Sequence, residues 1–343
     1  PPRSTLFPYT TLFRSKYLKM SEEVEKENKE ENPEENEDEN NEENNEENNE
    51  ENEEENNEAN EEENEEENVD EHNEENKDGN NDENKEENKE EEKKEDKNEQ
   101  QKEKNAREEF VFLSKLYERA ERFPDMVSSI NKFIEMNPKL TKDEKNIVSA
   151  GYKNILTDKR ASWRLLNSME KKETKKKSAQ VPHIKEIKSH IESEMKKQIE
   201  DVKSVIDKFL LPNAQDPESK VFYLRLKADH IRYLCEISKD KEFAKAIEET
   251  EKVYREAYDI ANKELPVINN ARIGLCLNFS VFCYEVKGDK KEGCKIAKKA
   301  FEDSMKYLDD LEKFKSKDVL LLIQLLKENL IFWSSEMNEE EQN

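Results

Sequence analysis

Residues 209–236 read FLLPNAQDPESKVFYLRLKADHIRYLCE, and the reading of this stretch decides the fold. Pro212 cannot donate to a helical ladder, so it stops the helix that carries VIDKFLL. Asp216-Pro217 opens the next one, with a capping carboxylate followed by proline in the first turn. Inside that second helix, Arg225 and Arg232 are seven residues apart, nearly two helical turns, so they share a face. The same spacing recurs upstream in GYKNILTDKRASWR, between Lys153 and Arg160. It recurs again downstream in LNFSVFCYE, between Asn278 and Glu285. Cations from two helices and an amide from a third are what an anionic ligand such as a phosphate requires. Taken alone, a lysine and an arginine at this spacing most often mark a solvated helix face.

Outward from this stretch, the pattern predicts an all-α fold. Helices are expected near 107–121, 124–136, 142–173, 183–210, 217–238, 241–262, 269–286, 290–307 and 315–336. Glycine is scarce, and the folded part carries no hairpin dipeptide such as Asn-Gly. Thr141 with Glu144 three residues on is a capping box. Gly288 follows the helix ending at Lys287, where a left-handed residue is favoured. Nine helices with short links also suit a helical-repeat solenoid, although no clean repeat near 34 residues is visible.

The 343-residue chain is 42% charged with a formal net charge of -27. That acidity is local: residues 21–100 hold 42 acidic and 8 basic side chains, so the remainder sums to about +7. Runs such as NNEENNEENNEENEEENNEANEEENEEEN contain no aromatic residue and cannot bury enough apolar surface to offset ordering entropy of roughly 1–2 kcal/mol per residue. Residues 20–106 are therefore expected to be a disordered acidic extension, 107–336 the helical domain and 337–343 a short acidic tail. Residues 1–19, PPRSTLFPYTTLFRSKYLK, read as a non-native leader with Met20 as the natural start; a transit presequence is the rival reading. Four cysteines (Cys235, Cys276, Cys283, Cys294) lack CxxC or zinc spacing, and buried free thiols are expected. No apolar run approaches the ~20 residues of a membrane span. These features suit a reducing compartment, the cytoplasm or also the nucleus, with no cofactor, no metal, no nucleic acid and no membrane insertion.

Four segments, YKNILTDKRASWR, FLLPNAQDPESKVFYLRLKADHIRYLCE, ARIGLCLNFSVFCYE and LLIQLLKENLIFW, resemble the signature stretches of 14-3-3 proteins, and the similarity spans 107–336. The resemblance implies nine antiparallel helices forming a cup-shaped dimer whose grooves bind phosphoserine or phosphothreonine peptides of client proteins. It implies that Lys153, Arg160, Arg232 and Tyr233 hold the phosphate. Arg225, Leu277, Asn278, Val281, Glu285, Leu325, Asn329, Phe332 and Trp333 would meet the rest of the peptide. Homodimerisation, or pairing with an isoform, would use Leu116, Ala120, Arg122, Asp125, Ile187, His190 and Glu194, with Arg122–Glu194 and Asp125–His190 crossing between subunits. The chain departs from the family pattern at Arg225 (usually lysine), Ala228 (glycine), His230 and Ile231 (aromatics), Phe332 (leucine), Ile187 (tyrosine) and His190 (lysine). Ser162 sits where some members carry an interface phosphosite.

Catalysis is not expected: HExxH, P-loop, GxSxG and GxGxxG are absent from the chain. A Cys235–His230 pair, five residues apart, is the one nucleophilic arrangement on offer, and it would place the two on different helix faces. The main alternative is a helical scaffold that binds partners without regard to phosphate. The acidic extension is further expected to compete for the basic groove.

Overall fold

In the computed structural model the backbone is described for residues 83–307 and 317–342, and side chains for 101–307 and 317–338. The expectations for residues 1–82, including the leader and most of the acidic extension, lie outside the described residues. Within them there are nine helices and no strand. They are α1 (Glu83–Arg119), α2 (Phe123–Met136), α3 (Lys142–Lys175), α4 (Val181–Val205), α5 (Pro217–Ile237), α6 (Asp240–Glu264), α7 (Asn270–Val281), α8 (Lys290–Met305) and α9 (Lys317–Gln342). α4 and α7 each run on into a π-helical segment, Ile206–Leu210 and Phe282–Lys287.

The predicted caps form. Thr141 Oγ1 accepts from the Glu144 amide while Glu144 Oε2 accepts from the Thr141 amide at 2.8 Å, the reciprocal pair that satisfies two orphan donors. Asp216 Oδ1 accepts from the Ser219 amide at 2.7 Å. Gly288 has φ 79°, a left-handed backbone that closes the α7 segment, and the Asp289 amide reaches back to Cys283 O at 2.8 Å.

Two boundaries require correction. α1 begins at Glu83 rather than near 107. Averaging over 21–100 hid a change within it: from residue 83 lysine interleaves with glutamate, with Glu90 four before Lys94, and the pattern runs on past it, with Glu103 four before Arg107. Lys104 pairs with Glu108 at 3.7 Å. Such pairs support an exposed helix without any core. At the other end α9 continues to Gln342, through the segment expected to be a tail.

Packing follows chain order. α2, α3, the π segment after α4, and α5 enclose one core built on Met126, Ile130, Phe133, Tyr152 and Ile206. α5, α6 and α7 enclose a second around Ala228, Ile231, Tyr254 and Phe279. α7, α8 and α9 enclose a third around Ile273, Leu326 and Trp333. A smaller cluster of Leu156, Trp163, Met195, Ile199 and Tyr233 ties α3 and α4 to α5. α5 thus contributes to three of the four cores, and its polar face is the one that carries Arg225 and Arg232. Cys235, Cys276 and Cys283 are buried thiols, while Cys294 is only half-buried.

Candidate functional site

The cations of α3 and α5 meet over one aromatic ring. Arg160 is 5% exposed and its guanidinium carbon lies 3.8 Å from the Tyr233 ring centre; that of Arg232 lies 5.5 Å from the same centre. Arg160 Nε donates to Glu236 Oε2 at 3.0 Å, Arg160 Nη2 donates to Glu236 Oε1, and Arg164 Nη2 adds a third bond at 2.9 Å. Burial pushes the Glu236 carboxyl up, but Arg160, Arg164 and Arg232 outweigh it and hold it below the usual carboxylate range. Lys153, half-buried, stands two turns before Arg160 on the same face of α3.

Along α5 and α7 these contacts form a ladder. Arg225 lies against Gly274, where a Cβ would collide with its Nη1. One turn on, Asn278 Nδ2 donates to Asp229 Oδ2 at 2.8 Å, and Tyr254 of α6 donates to Asp229 Oδ1. Beyond that, Arg232 Nε and Glu285 Oε2 are both buried without a hydrogen-bond partner. Burial pushes the Glu285 carboxyl up to about 7; Arg232 works against that rise and Glu336 adds to it. Burial works against the charge of Arg232, yet Tyr254, Tyr233, Asp229 and Glu236 keep its pKa above the ordinary guanidinium value.

The apolar flank comes from α7 and α9. Leu277 and Val281 are partly buried against the core that holds Leu326 and Trp333. Leu325 and Asn329 are buried, and Phe332 is 36% exposed beside Ile331 at 62%. Trp333 corrects an expectation. It is 1% exposed and stacked on Tyr284 with ring centres 4.4 Å apart, so it backs the flank rather than forming its surface. Tyr284 and Lys290 also bond Glu336, at 3.1 and 3.3 Å. The Asn278–Glu285 spacing needs a second correction. A π-helical segment begins at Phe282, so the two-turn count does not apply between them; Asn278 bonds Asp229 on α5, whereas Glu285 Oε2 is buried without a hydrogen-bond partner.

Asp229 and Glu236 were missed by sequence reading; the available signal was their spacing, four after Arg225 and four after Arg232 on one helix face. The residues expected at a subunit interface stand outside this cluster. Leu116 and Ile187 are 48% and 53% exposed, and Ala120 and His190 are exposed. Phe112, Leu165 and Met169 are exposed apolar residues that sequence reading did not single out. Arg122 Nε bonds Asp125 at 2.8 Å within the chain, and Glu194 is bonded by Lys159. The expected crossing pairs therefore require an exchange of partners. Ser162 is exposed on α3.

The Cys235–His230 arrangement does not assemble. Both ring nitrogens of buried His230 face carbonyl oxygens, Leu226 O at 2.7 Å and Tyr152 O at 3.0 Å. Cys235 Sγ faces Thr250 Oγ1 at 3.9 Å, and burial pushes its thiol up to about 11. Among the described residues no group of three or more His, Cys, Asp or Glu is placed to hold a metal, and no helix is long and apolar enough to cross a membrane.

Residues 113–334, most of the helical array and the whole α3–α5–α7–α9 ladder, match the family model for the 14-3-3 protein. The chain belongs to the 14-3-3 family. It is 41% identical over 238 residues to 14-3-3-like protein GF14 epsilon of Arabidopsis thaliana, covering 69% of this chain and 94% of that protein. It is 41% identical over 237 residues to 14-3-3 protein 3 of Entamoeba histolytica (69% and 99%), and 42% identical over 236 residues to Protein BMH1 of Saccharomyces cerevisiae (68% and 88%). As a 14-3-3 protein the chain has a client-binding, regulatory adaptor role, in a family that dimerises. The segment ahead of residue 113 lies outside the matched region.

Proposed function

We propose that the groove along α3, α5, α7 and α9 binds client segments phosphorylated on serine or threonine, holding the phosphate with Lys153, Arg160, Arg232 and Tyr233. The observation that carries this reading is the convergence of Arg160 and Arg232, from different helices, on the Tyr233 ring with Arg164 beside them. Three guanidinium groups face the carboxylates of Glu236 and Asp229, an excess of positive charge for a phosphate to match. Charge-assisted bonds from the forked guanidinium groups suit the oxygens of a phosphate ester, and the Tyr233 hydroxyl adds a neutral donor. Asn278 and Asn329 then meet the ligand main chain, and Leu277, Val281, Leu325 and Phe332 supply apolar contact. Leu116, Ala120, Arg122, Asp125, Ile187, His190 and Glu194 serve the subunit interface.

The test is titration of the full chain with a phosphoserine peptide and with the same peptide after phosphatase treatment. The phosphorylated form is expected to bind, and Lys153→Glu or Arg160→Glu to weaken it by more than tenfold with helicity retained, since one charge-assisted bond is worth roughly 1.5–3 kcal/mol. Equal affinity for both peptides would instead support a phosphate-independent helical scaffold.

A further inference from the structure

We propose that Arg225 forms a second anion subsite, which reads an acidic side chain two or three residues away from the phosphorylated residue of the same client segment. The inference rests on the phosphate reading of Arg160 and Arg232 and extends it along the ladder. The guanidinium group of Arg225 is held on two sides. Its guanidinium carbon lies 5.6 Å from the Phe222 ring centre, and its Nη1 fills the space beside Gly274 that any Cβ would occupy. Among the described residues no acceptor lies within hydrogen-bonding reach of its nitrogens, and none of these is a buried orphan, so its donors open to solvent. The other guanidinium groups of the ladder differ. Arg160 is locked on Glu236, and Arg232 is ringed by Asp229, Glu236 and Glu285. An anion arriving at Arg225 therefore displaces no ion pair.

Position sets the reach. Seven residues of α-helix separate Arg225 from Arg232, about 10 Å along the axis. An extended peptide advances about 3.3 Å per residue, so three residues span that distance and two leave a gap of about 4 Å for the acidic side chain itself to cross. Between the two arginines stands Asn278, its Nδ2 bonded to Asp229. A ligand with its phosphate at Arg232 and its backbone against Asn278 therefore continues onto Arg225. The fork of a guanidinium matches a carboxylate in two-point geometry, which an ammonium group does not reproduce.

The experiment uses phosphoserine peptides on an alanine background, with glutamate or its neutral isostere glutamine at each of the four positions on either side of the phosphoserine. Affinities are measured by fluorescence anisotropy for the wild-type chain, Arg225→Gln and Arg225→Lys. The wild type is expected to prefer glutamate over glutamine by at least about fivefold at a position two or three residues away, on one side only. Arg225→Gln is expected to erase that preference and Arg225→Lys to retain only part of it, with circular dichroism unchanged. A wild-type preference below about twofold at every position overturns the subsite and leaves the phosphate reading intact. A preference that survives Arg225→Gln does the same. If the unphosphorylated parent binds as well as the phosphopeptide, the phosphate reading falls, and the subsite with it.

Discussion

Arg160 and Glu236 form a buried pair joined by two hydrogen bonds, their side chains 6% and 7% exposed. Pairs of this kind contribute little net stability while intact and cost about 3–5 kcal/mol when one partner is removed, because the other charge stays buried. Here the partner left behind would be a cluster of three guanidinium groups. Glu236→Gln is therefore expected to destabilise the chain by about 3 kcal/mol in denaturant unfolding. Inorganic phosphate should restore more stability to this variant than to wild type. Equal phosphate effects on the two proteins would show that the anion does not occupy the place vacated by the carboxylate.

Glu285 sets a pH dependence of stability. Its folded pKa, pushed up to about 7, lies above the ordinary carboxyl value of 4.5, so the folded chain keeps a proton that the unfolded chain releases. Its contribution is fully present below 4.5 and is lost as pH rises to about 7. Glu285→Gln is expected to remove this loss, on the order of 3 kcal/mol at pH 8, while matching wild type near pH 4. Thermal unfolding across this range checks both limits.

The α3 cap offers a comparison of two alanine substitutions. Thr141→Ala removes one capping acceptor and is expected to cost about 1 kcal/mol. Glu144→Ala removes the reciprocal bond and also the carboxylate that Arg107 Nη1 meets at 2.6 Å. Arg107 already has a buried, unpartnered Nε, so this second loss is expected to cost about 2–3 kcal/mol. Urea midpoints in that order would confirm the ranking.

The exposed apolar residues Phe112, Leu116 and Ile187 are expected to be covered by a second subunit. Leu116→Glu should shift the protein from dimer towards monomer in light scattering at micromolar concentration. Helicity should be unchanged, since Leu116 is 48% exposed in the single chain.

Local chemistry was legible in the amino-acid order, and features set by neighbouring helices were not. Thr141, Asp216 and Gly288 act within a turn of their own position, so their capping roles could be read directly. Arg160 and Arg232 stood out by their spacing and Tyr233 through resemblance alone, while the convergence of the three follows from how α3 packs on α5. Asp229 and Glu236 drew no notice, because nothing local reveals that Tyr254, Asn278 and Arg160 approach from other helices. Trp333 read as a contact surface, because the Tyr284 ring that covers it lies 49 positions earlier. α1 was cut short because averaged composition conceals a gradual change from asparagine to lysine.

The π-helical segment Phe282–Lys287 has a consequence for tolerance to deletion. An i→i+5 turn holds one residue more than the regular ladder. Excising Val286 alone would let the backbone relax to ordinary helical bonding without breaking the chain's main-chain connectivity. The excised residue is the extra one of the wide turn, so the residues beyond it would keep their facing and escape the rotation of about 100° that a deletion from a regular helix imposes. Gly288 and the whole of α8 would keep their approach and Lys290 its place beside Glu336, so a shortening here would be absorbed where the same excision from a regular helix would mis-seat everything after it.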